Sequence, residues 1–358
     1  MTGGAATARW MIYGANGYTG RALAKLAEQT GERPVLAGRS VAKVLPLADE
    51  LGLDHVIVDL ADTSGLHNAL ADIGLVANCA GPFSQTALPL VDACLATGTH
   101  YVDITGEVDV FESIYARADE AERADVVLLP GAGFDVVPTD CLAAALAEKL
   151  PDATELELAF TLSGGFSPGT IKTALEGVGA GGRARIDGEL QPVPLAHRQT
   201  IAEFATGPRQ VTAIPWGDLS SAYRTTGIPN ITTYTVLPGS DLINRSQQFL
   251  GPLLRMPAVQ RAGMSLVDRW ITGPSEERQA NSKRCEVWGR VSGPGKHYAS
   301  GTVSTPAGQP FTVDAVLHAV RRLLGGEVAA GAHTPSSAFG SDFLADLDDV
   351  TVGRISTR

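Results

Sequence analysis

The stretch "MIYGANGYTG", residues 11–20, sets the strongest constraint on this chain. A short apolar run ends at Gly14, and a run with helical spacing begins just beyond Gly17. Glycines placed between a strand and a helix in this way make a tight turn, let backbone approach a pyrophosphate, and allow close packing of helix on sheet. Those parts fall to Gly14, Gly17 and Gly20 in turn. The helix N-terminus then offers N–H groups and a positive dipole end to an anion. Asn16, Tyr18 and Thr19 complete the turn and are candidate cofactor contacts. The bland alternative is a plain glycine turn.

The surrounding pattern supports the richer reading. Up to about residue 150, short apolar runs that suit buried parallel strands alternate with helical segments. The runs are "RWMIYG", "PVLAG", "HVIVDL", "GLVANCAG", "HYVDI" and "VVLLPGAG". Several helical segments close on glycine, at Gly31, Gly52 and Gly98. Repeated strand–helix–strand units imply right-handed crossovers and an α/β fold with a Rossmann-type doubly wound parallel sheet. After "PTDCLAAALAEKLP" the character changes. "TELELAFTL", "RQVTAIPWGDLSSAY", "NITTYTVLPG", "KRCEVWGRVSG" and "KHYASGTVS" read as strands of a mixed or antiparallel sheet. The expected division is a nucleotide-binding domain over 1–150, an α+β substrate or dimerisation domain over 151–311, and a C-terminal part, 312–358, that packs back on the first.

The end of the second strand selects the dinucleotide. An NAD site places an acid about 20 positions on, to take the ribose 2′-OH. Here "LAGRS" provides no carboxylate, only Arg39 and Ser40. A guanidinium can grip a 2′-phosphate through its fork, and a hydroxyl can add a hydrogen bond. The cofactor is therefore expected to be NADP(H). Asp59, after the third strand, could meet the adenine, with a plain helix cap as the alternative. "NCAGPF" closes the fourth strand, and Asn78, Ala80, Gly81 and Pro82 suit a loop pressed against the cofactor.

Composition narrows the rest. A formal net charge of -11 argues against a general nucleic-acid binder, which needs a basic surface. The 4 cysteines and 7 histidines are scattered with no ligand spacing, so no metal centre is expected. No run approaches the ~18 apolar residues of a spanning helix, and the first residues lack signal-peptide features, so a cytoplasmic chain is expected.

Candidate chemistry gathers where open α/β sheets place active sites, at the C-terminal strand ends. "HYVDITGE" provides Tyr101, Asp103 and Glu107, and "GAGFDVVPTD" provides Asp135. Each could orient substrate or move a proton; core packing for Tyr101 and helix capping for the acids are the alternatives. Asp140 reads as the N-cap of "CLAAALAEKL". In "SGGFSPGTIKTALEG", Ser167, Thr170 and Lys172 could hold a substrate carboxylate or phosphate at a helix start, with an ordinary capped helix as the alternative. Residues 246–272, broken by Pro252 and Pro257, read as a substrate lid ahead of a membrane-facing helix.

"GANGYTG", "AGRS", "NCAGPF", "YVDITGE" and "GAGFDVVPTD", in this order, resemble the saccharopine dehydrogenase-like oxidoreductases, and within them the bacterial branch that includes trans-acting enoyl reductases. The likeness is dense over 10–145 and returns at "HTPSSAFG". The resemblance implies hydride transfer from NADPH to a C=C (enoyl) or C=N (imine) bond of a fairly apolar acceptor, small or carrier-bound. No nucleic-acid partner is expected at this net charge, and a homodimer stands as the candidate assembly. An NADP(H)-binding sensor or scaffold without turnover is the alternative.

Overall fold

The computed structural model describes residues 9–163, 181–237 and 284–358. They divide into two compact units. The first takes in residues up to 105 together with 109–134 and 312–338; the second takes in 106–108, 135–311 and 339–358.

The first unit alternates strand and helix as the glycine punctuation implies. Its elements are β1 (Trp10–Tyr13), α1 (Tyr18–Gln29), β2 (Val35–Gly38), α2 (Val41–Leu51), β3 (His55–Ile57), α3 (Thr63–Leu70), β4 (Leu75–Asn78), α4 (Phe83–Thr97) and β5 (His100–Asp103). α5 (Val108–Tyr115), α6 (Ala118–Ala124) and β6 (Val127–Leu129) follow. The stretch "VFESIYARADEAERA" therefore carries two helices, α5 and α6. β1, β2, β4 and β6 are buried along their whole length, which is why they read as continuous apolar runs.

α7 (Val137–Lys149) and β7 (Glu155–Phe160) open the second unit, followed by β8 (Gly182–Ile186), β9 (Glu189–Val193), β10 (Gln199–Phe204) and β11 (Gly207–Ile214). Next come α8 (Asp218–Thr226), β12 (Asn230–Thr235), β13 (Cys285–Ser292) and β14 (Tyr298–Thr305). The chain ends with α9 (Gly308–Leu324), β15 (Gly331–Ala332), α10 (Pro335–Phe339), β16 (Thr351–Val352) and β17 (Ser356–Thr357).

Sheet order in the first unit is β15-β6-β5-β4-β1-β2-β3, with every pair parallel. The order reverses direction at β1, where a doubly wound sheet binds its ligand. The mixed sheet of the second unit runs β10-β11-β12-β7-β13-β14-β16, with β8, β9 and β17 attached off this path. α7 covers one face: Leu142 and Leu146 press on Gly289 of β13, where an added Cβ would lie 2.9 Å from Leu146. On β13, then, glycine makes room for a helix.

Three expectations change. α7 belongs to the second unit, so the division falls at Phe134 rather than near residue 150, and residues 339–358 join the second unit as well. "GDLSSAY" is not strand: β11 ends at Ile214, Pro215 and Gly217 intervene, and α8 starts at Asp218 with an acid in its first turn. α7 starts at Val137, so Asp140 lies within the first turn rather than at the cap. Among the described residues, no helix is long and apolar enough to cross a membrane.

Candidate cofactor site

β1 delivers the chain into the glycine turn. Gly14 has φ +80, and a Cβ there would lie 2.8 Å from Ala80. The turn is held by the Gly14 and Ala15 N–H groups, both donating to the Ala37 carbonyl, and by Gly17 N–H donating to the Gly14 carbonyl. A Cβ on Gly20 would meet the Gly14 oxygen at 2.3 Å, so α1 packs on the turn only because that position is bare. Gly17 is the N-cap of α1, contributes no capping side chain, and precedes a first turn without acids. That end is built to face negative charge. Asn16 leans on the end of β2, where a Cβ on Gly38 would come within 3.2 Å of its Oδ1. Tyr18 and Thr19 lie half-buried in the first turn, and burial pushes the Tyr18 hydroxyl up to about 12, which keeps it neutral.

β2 ends beside this turn. Arg39 is exposed and makes no ion pair with a described residue, while its charge reaches the Tyr13 hydroxyl. Ser40 is the N-cap of α2, yet its side chain makes no capping bond. Lys43 follows in the first turn of α2, exposed, with no acid in that turn. Sequence reasoning missed Lys43; the signal was a second cation one helical turn beyond Arg39. Asp59 accepts from Ala61 N–H at 2.9 Å, closing a turn, and Asp62 caps α3 by accepting from Gly65 N–H at 2.9 Å.

The loop after β4 packs on the glycine turn through Ala80. Asn78, fully buried, shapes it: its Oδ1 accepts from Ala80 N–H at 3.0 Å, and its Nδ2 donates to the Tyr101 hydroxyl at 3.1 Å. The Thr86 hydroxyl donates to the Ala80 carbonyl at 2.5 Å, and the Gly81–Pro82 peptide is cis. Tyr101 donates in turn to Asp103 at 2.8 Å, and Asp103 accepts from Thr105 N–H at 2.9 Å and Gly131 N–H at 2.8 Å. Both side chains are out of solvent. Burial first, then the Asp103 charge, lifts the Tyr101 hydroxyl well above its ordinary value. This placement gives Tyr101 and Asp103 the work of tying together the ends of β4, β5 and β6.

Asp135 follows β6 and has a different setting. Its residue keeps some accessible surface, but burial raises its carboxyl to about 7. Gly106, which follows β5, abuts it: a Cβ there would lie 3.2 Å from Oδ2. Trp216 Nε1 donates to the Asp135 carbonyl at 2.8 Å, and Trp216 stacks tilted on Phe160 with ring centroids 5.1 Å apart. A carboxyl poised near neutrality suits general acid catalysis. Glu107, half-buried, stands directly before α5. Ser167, Thr170, Lys172 and the lid of residues 246–272 lie outside the described residues.

With this geometry in view, residues 10–129 match the family model of the saccharopine dehydrogenase NADP binding domain. That stretch of the chain is thus similar to the NADP binding domain of the saccharopine dehydrogenase-like oxidoreductases. A Mycobacterium tuberculosis protein of the trans-acting enoyl reductase group is 34% identical over 180 residues, covering 46% of this chain and 43% of that protein. A saccharopine dehydrogenase-like oxidoreductase of Bos taurus is 28% identical over 216 residues, covering 52% of this chain and 50% of that protein. The chain spans about half the length of the curated relatives it matches. The apo saccharopine dehydrogenase (L-Glu forming) of Saccharomyces cerevisiae superposes with a TM-score of 0.68 at 12% identity, over 98% of this chain and 99% of that one. At that identity the likeness speaks for the fold. The NADP(H) site therefore rests on the match of residues 10–129 and on its own fit: a bare glycine cradle and a cation with no carboxylate partner among the described residues.

Proposed function

We propose that this chain is an NADPH-dependent reductase acting on a C=C or C=N bond of a fairly apolar acceptor, carried as a thioester in the enoyl case. The observation that carries the reading is Asp135, a carboxyl raised to about 7 whose backbone carbonyl accepts from Trp216, in a chain with a stretch similar to an NADP binding domain. The name of the M. tuberculosis relative supports an enoyl acceptor over an amino acid.

NADPH supplies a hydride when bound, and the cofactor carries the hard chemistry. The residues have four tasks. Gly14, Gly17 and Gly20 admit the pyrophosphate, and Tyr18, Thr19 and Asn16 line it. Arg39, Ser40 and Lys43 hold the 2′-phosphate. Ala80, Gly81 and Pro82 form the wall that Asn78, Tyr101 and Asp103 keep in place. Asp135 gives its carboxyl proton to the acceptor atom that gains an electron pair when the double bond takes up hydride. Thus one hydride and one proton saturate the bond, and Asp135 is left as a carboxylate.

The test is NADPH oxidation against a panel of enoyl thioesters, cyclic imines and keto acids. Oxidation with an enoyl thioester or an imine, lost at least a hundredfold in Asp135→Asn with NADPH affinity retained, is the expected result. Tight NADPH binding with no oxidation by any member of the panel would point to a sensor instead.

A further inference from the structure

Asp135 has one neighbour at very close range. Gly106 lies in the loop between β5 and α5, and a Cβ added to it would stand 3.2 Å from Oδ2 of Asp135 and 3.6 Å from its Cβ and Cγ. Those three atoms are the nearest that such a Cβ would meet, so the bare position bears on the Asp135 side chain before anything else. The backbone does not call for glycine here. Gly14 needs its φ of +80, whereas Gly106 stands outside the left-handed region and would accept alanine. What glycine supplies at this position is space. Gly106 and Asp135 both keep accessible surface, while Thr105, Phe134 and Val136 beside them are buried.

The acid is not free to move aside. Trp216 Nε1 donates to the Asp135 carbonyl at 2.8 Å, and Trp216 is itself buried and stacked on Phe160. One residue earlier, Phe134 N–H donates to Thr312 Oγ1 at 3.0 Å. With the main chain held at both residues, a methyl group on Gly106 would fall on the carboxyl instead of displacing the loop. A carbon 3.2 Å from Oδ2 lies inside ordinary van der Waals contact. Burial is the one cause that raises this carboxyl, so whatever covers or touches Oδ2 decides how the acid behaves.

We propose that Gly106 is a specificity-determining residue for proton transfer: its bare α-carbon leaves the Oδ2 side of Asp135 open to the acceptor atom. It rests on the assignment of Asp135 as the proton donor. In that step the Asp135 O–H bond breaks and the proton bonds to the acceptor atom that gains an electron pair as hydride arrives from NADPH. Asp135 is left as a carboxylate. Donor and acceptor must come within about 3.2 Å of each other. A side chain on Gly106 would already place its own carbon at 3.2 Å from Oδ2. The opening thus suits an acceptor with little bulk at the atom that is protonated, and any branch there competes for the space that glycine leaves.

Two experiments test this. The first needs no substrate: infrared titration of the protonated-carboxyl band that is lost in Asp135→Asn follows this one acid. Gly106→Ala covers Oδ2 and should raise the titration midpoint, whereas Gly106→Ser brings a hydroxyl within hydrogen-bond reach and should lower it. The second uses NADPH with crotonyl-CoA and its α-methyl homologue, tiglyl-CoA, as probes. Gly106→Ala should lower kcat with crotonyl-CoA by roughly tenfold or more, and kcat/KM with tiglyl-CoA by about fivefold beyond that. The Kd for NADPH should stay within about twofold of wild type, since the cofactor cradle is untouched. In Gly106→Ser, the fall of kcat with rising pH should begin at lower pH than in wild type, which a merely structural role would not produce. Midpoints unchanged in both variants, or Gly106→Ala turning over both probes like wild type, would each overturn the proposal. Full activity in Asp135→Asn would overturn the donor reading beneath it. A wild-type protein that leaves NADPH unoxidised with both probes counts against the enoyl reading alone, because the infrared midpoints stand without it.

Discussion

At the scale of single residues, cofactor choice turns on an absence and a presence. The second strand ends without an acid and with Arg39, which the sequence displays directly. Arg39→Ala should cost roughly 1.5–3 kcal/mol of NADPH binding, about tenfold to a hundredfold, and little for NADH. Fluorescence titration with both cofactors checks this; equal wild-type affinities would refute the 2′-phosphate assignment. Lys43, a more hydrated point charge, should give only about a threefold loss on Lys43→Ala. Asp135 was legible as an acid after a strand, but not its difference from Asp103. Asp103 ends β5 and Asp135 comes after β6; three dimensions give one an enclosing ring of hydrogen bonds and the other an environment that raises its carboxyl to about 7. Asp218 was hidden by reading "RQVTAIPWGDLSSAY" as one strand, whereas β11 ends at Ile214 and α8 starts at Asp218.

At the scale of elements, the glycine turn separates binding from folding. A Cβ on Gly17 would meet the Gly14 oxygen at 3.1 Å and the Cys79 oxygen at 3.8 Å, whereas one on Gly20 would collide at 2.3 Å. Gly17→Val should therefore abolish NADPH binding with secondary structure retained. Gly20→Val should push α1 off the sheet and destabilise by about 1–3 kcal/mol, a cost set by overpacking. Circular dichroism melts beside cofactor titration separate the two; normal NADPH binding by Gly17→Val would leave that turn merely structural. The parallel strands were legible because burial on both faces makes them continuously apolar. β8, β9 and β10 were not: their mixed exposure leaves neither a clean alternation nor an apolar run. β15, of 2 residues, is too short to carry a period.

At the scale of the whole molecule, buried acids set how stability responds to pH. Asp135 ionises near pH 3.8 when unfolded and near about 7 when folded, so the folded chain holds the extra proton in between. Its contribution is fully present below the unfolded value and is lost as pH rises through the folded one. Asp218, raised in the same direction, extends that loss upward. Denaturant melts from pH 4 to 8 should show Asp135→Asn gaining on the wild type as pH rises, by on the order of 2–4 kcal/mol at pH 8. A constant difference across that range would mean that Asp135 titrates as an ordinary surface acid.

The seventh strand of the parallel sheet has a consequence for how this chain is made. β15 hydrogen-bonds to β6 through Gly331 N–H to the Val126 carbonyl and His333 N–H to the Leu128 carbonyl, both at 2.9 Å. α9 adds Ala315, Val316, Leu317, Ala319, Val320 and Leu323 as buried residues, and Arg321 pairs with Glu32 at 2.7 Å. On the ribosome, the nucleotide-binding unit thus waits for segments encoded some two hundred codons after β6 has emerged. Meanwhile β6 presents an unpaired edge, the kind of surface on which nascent chains aggregate or recruit chaperones. The first unit starts with β1 and is finished only once β15 has been made.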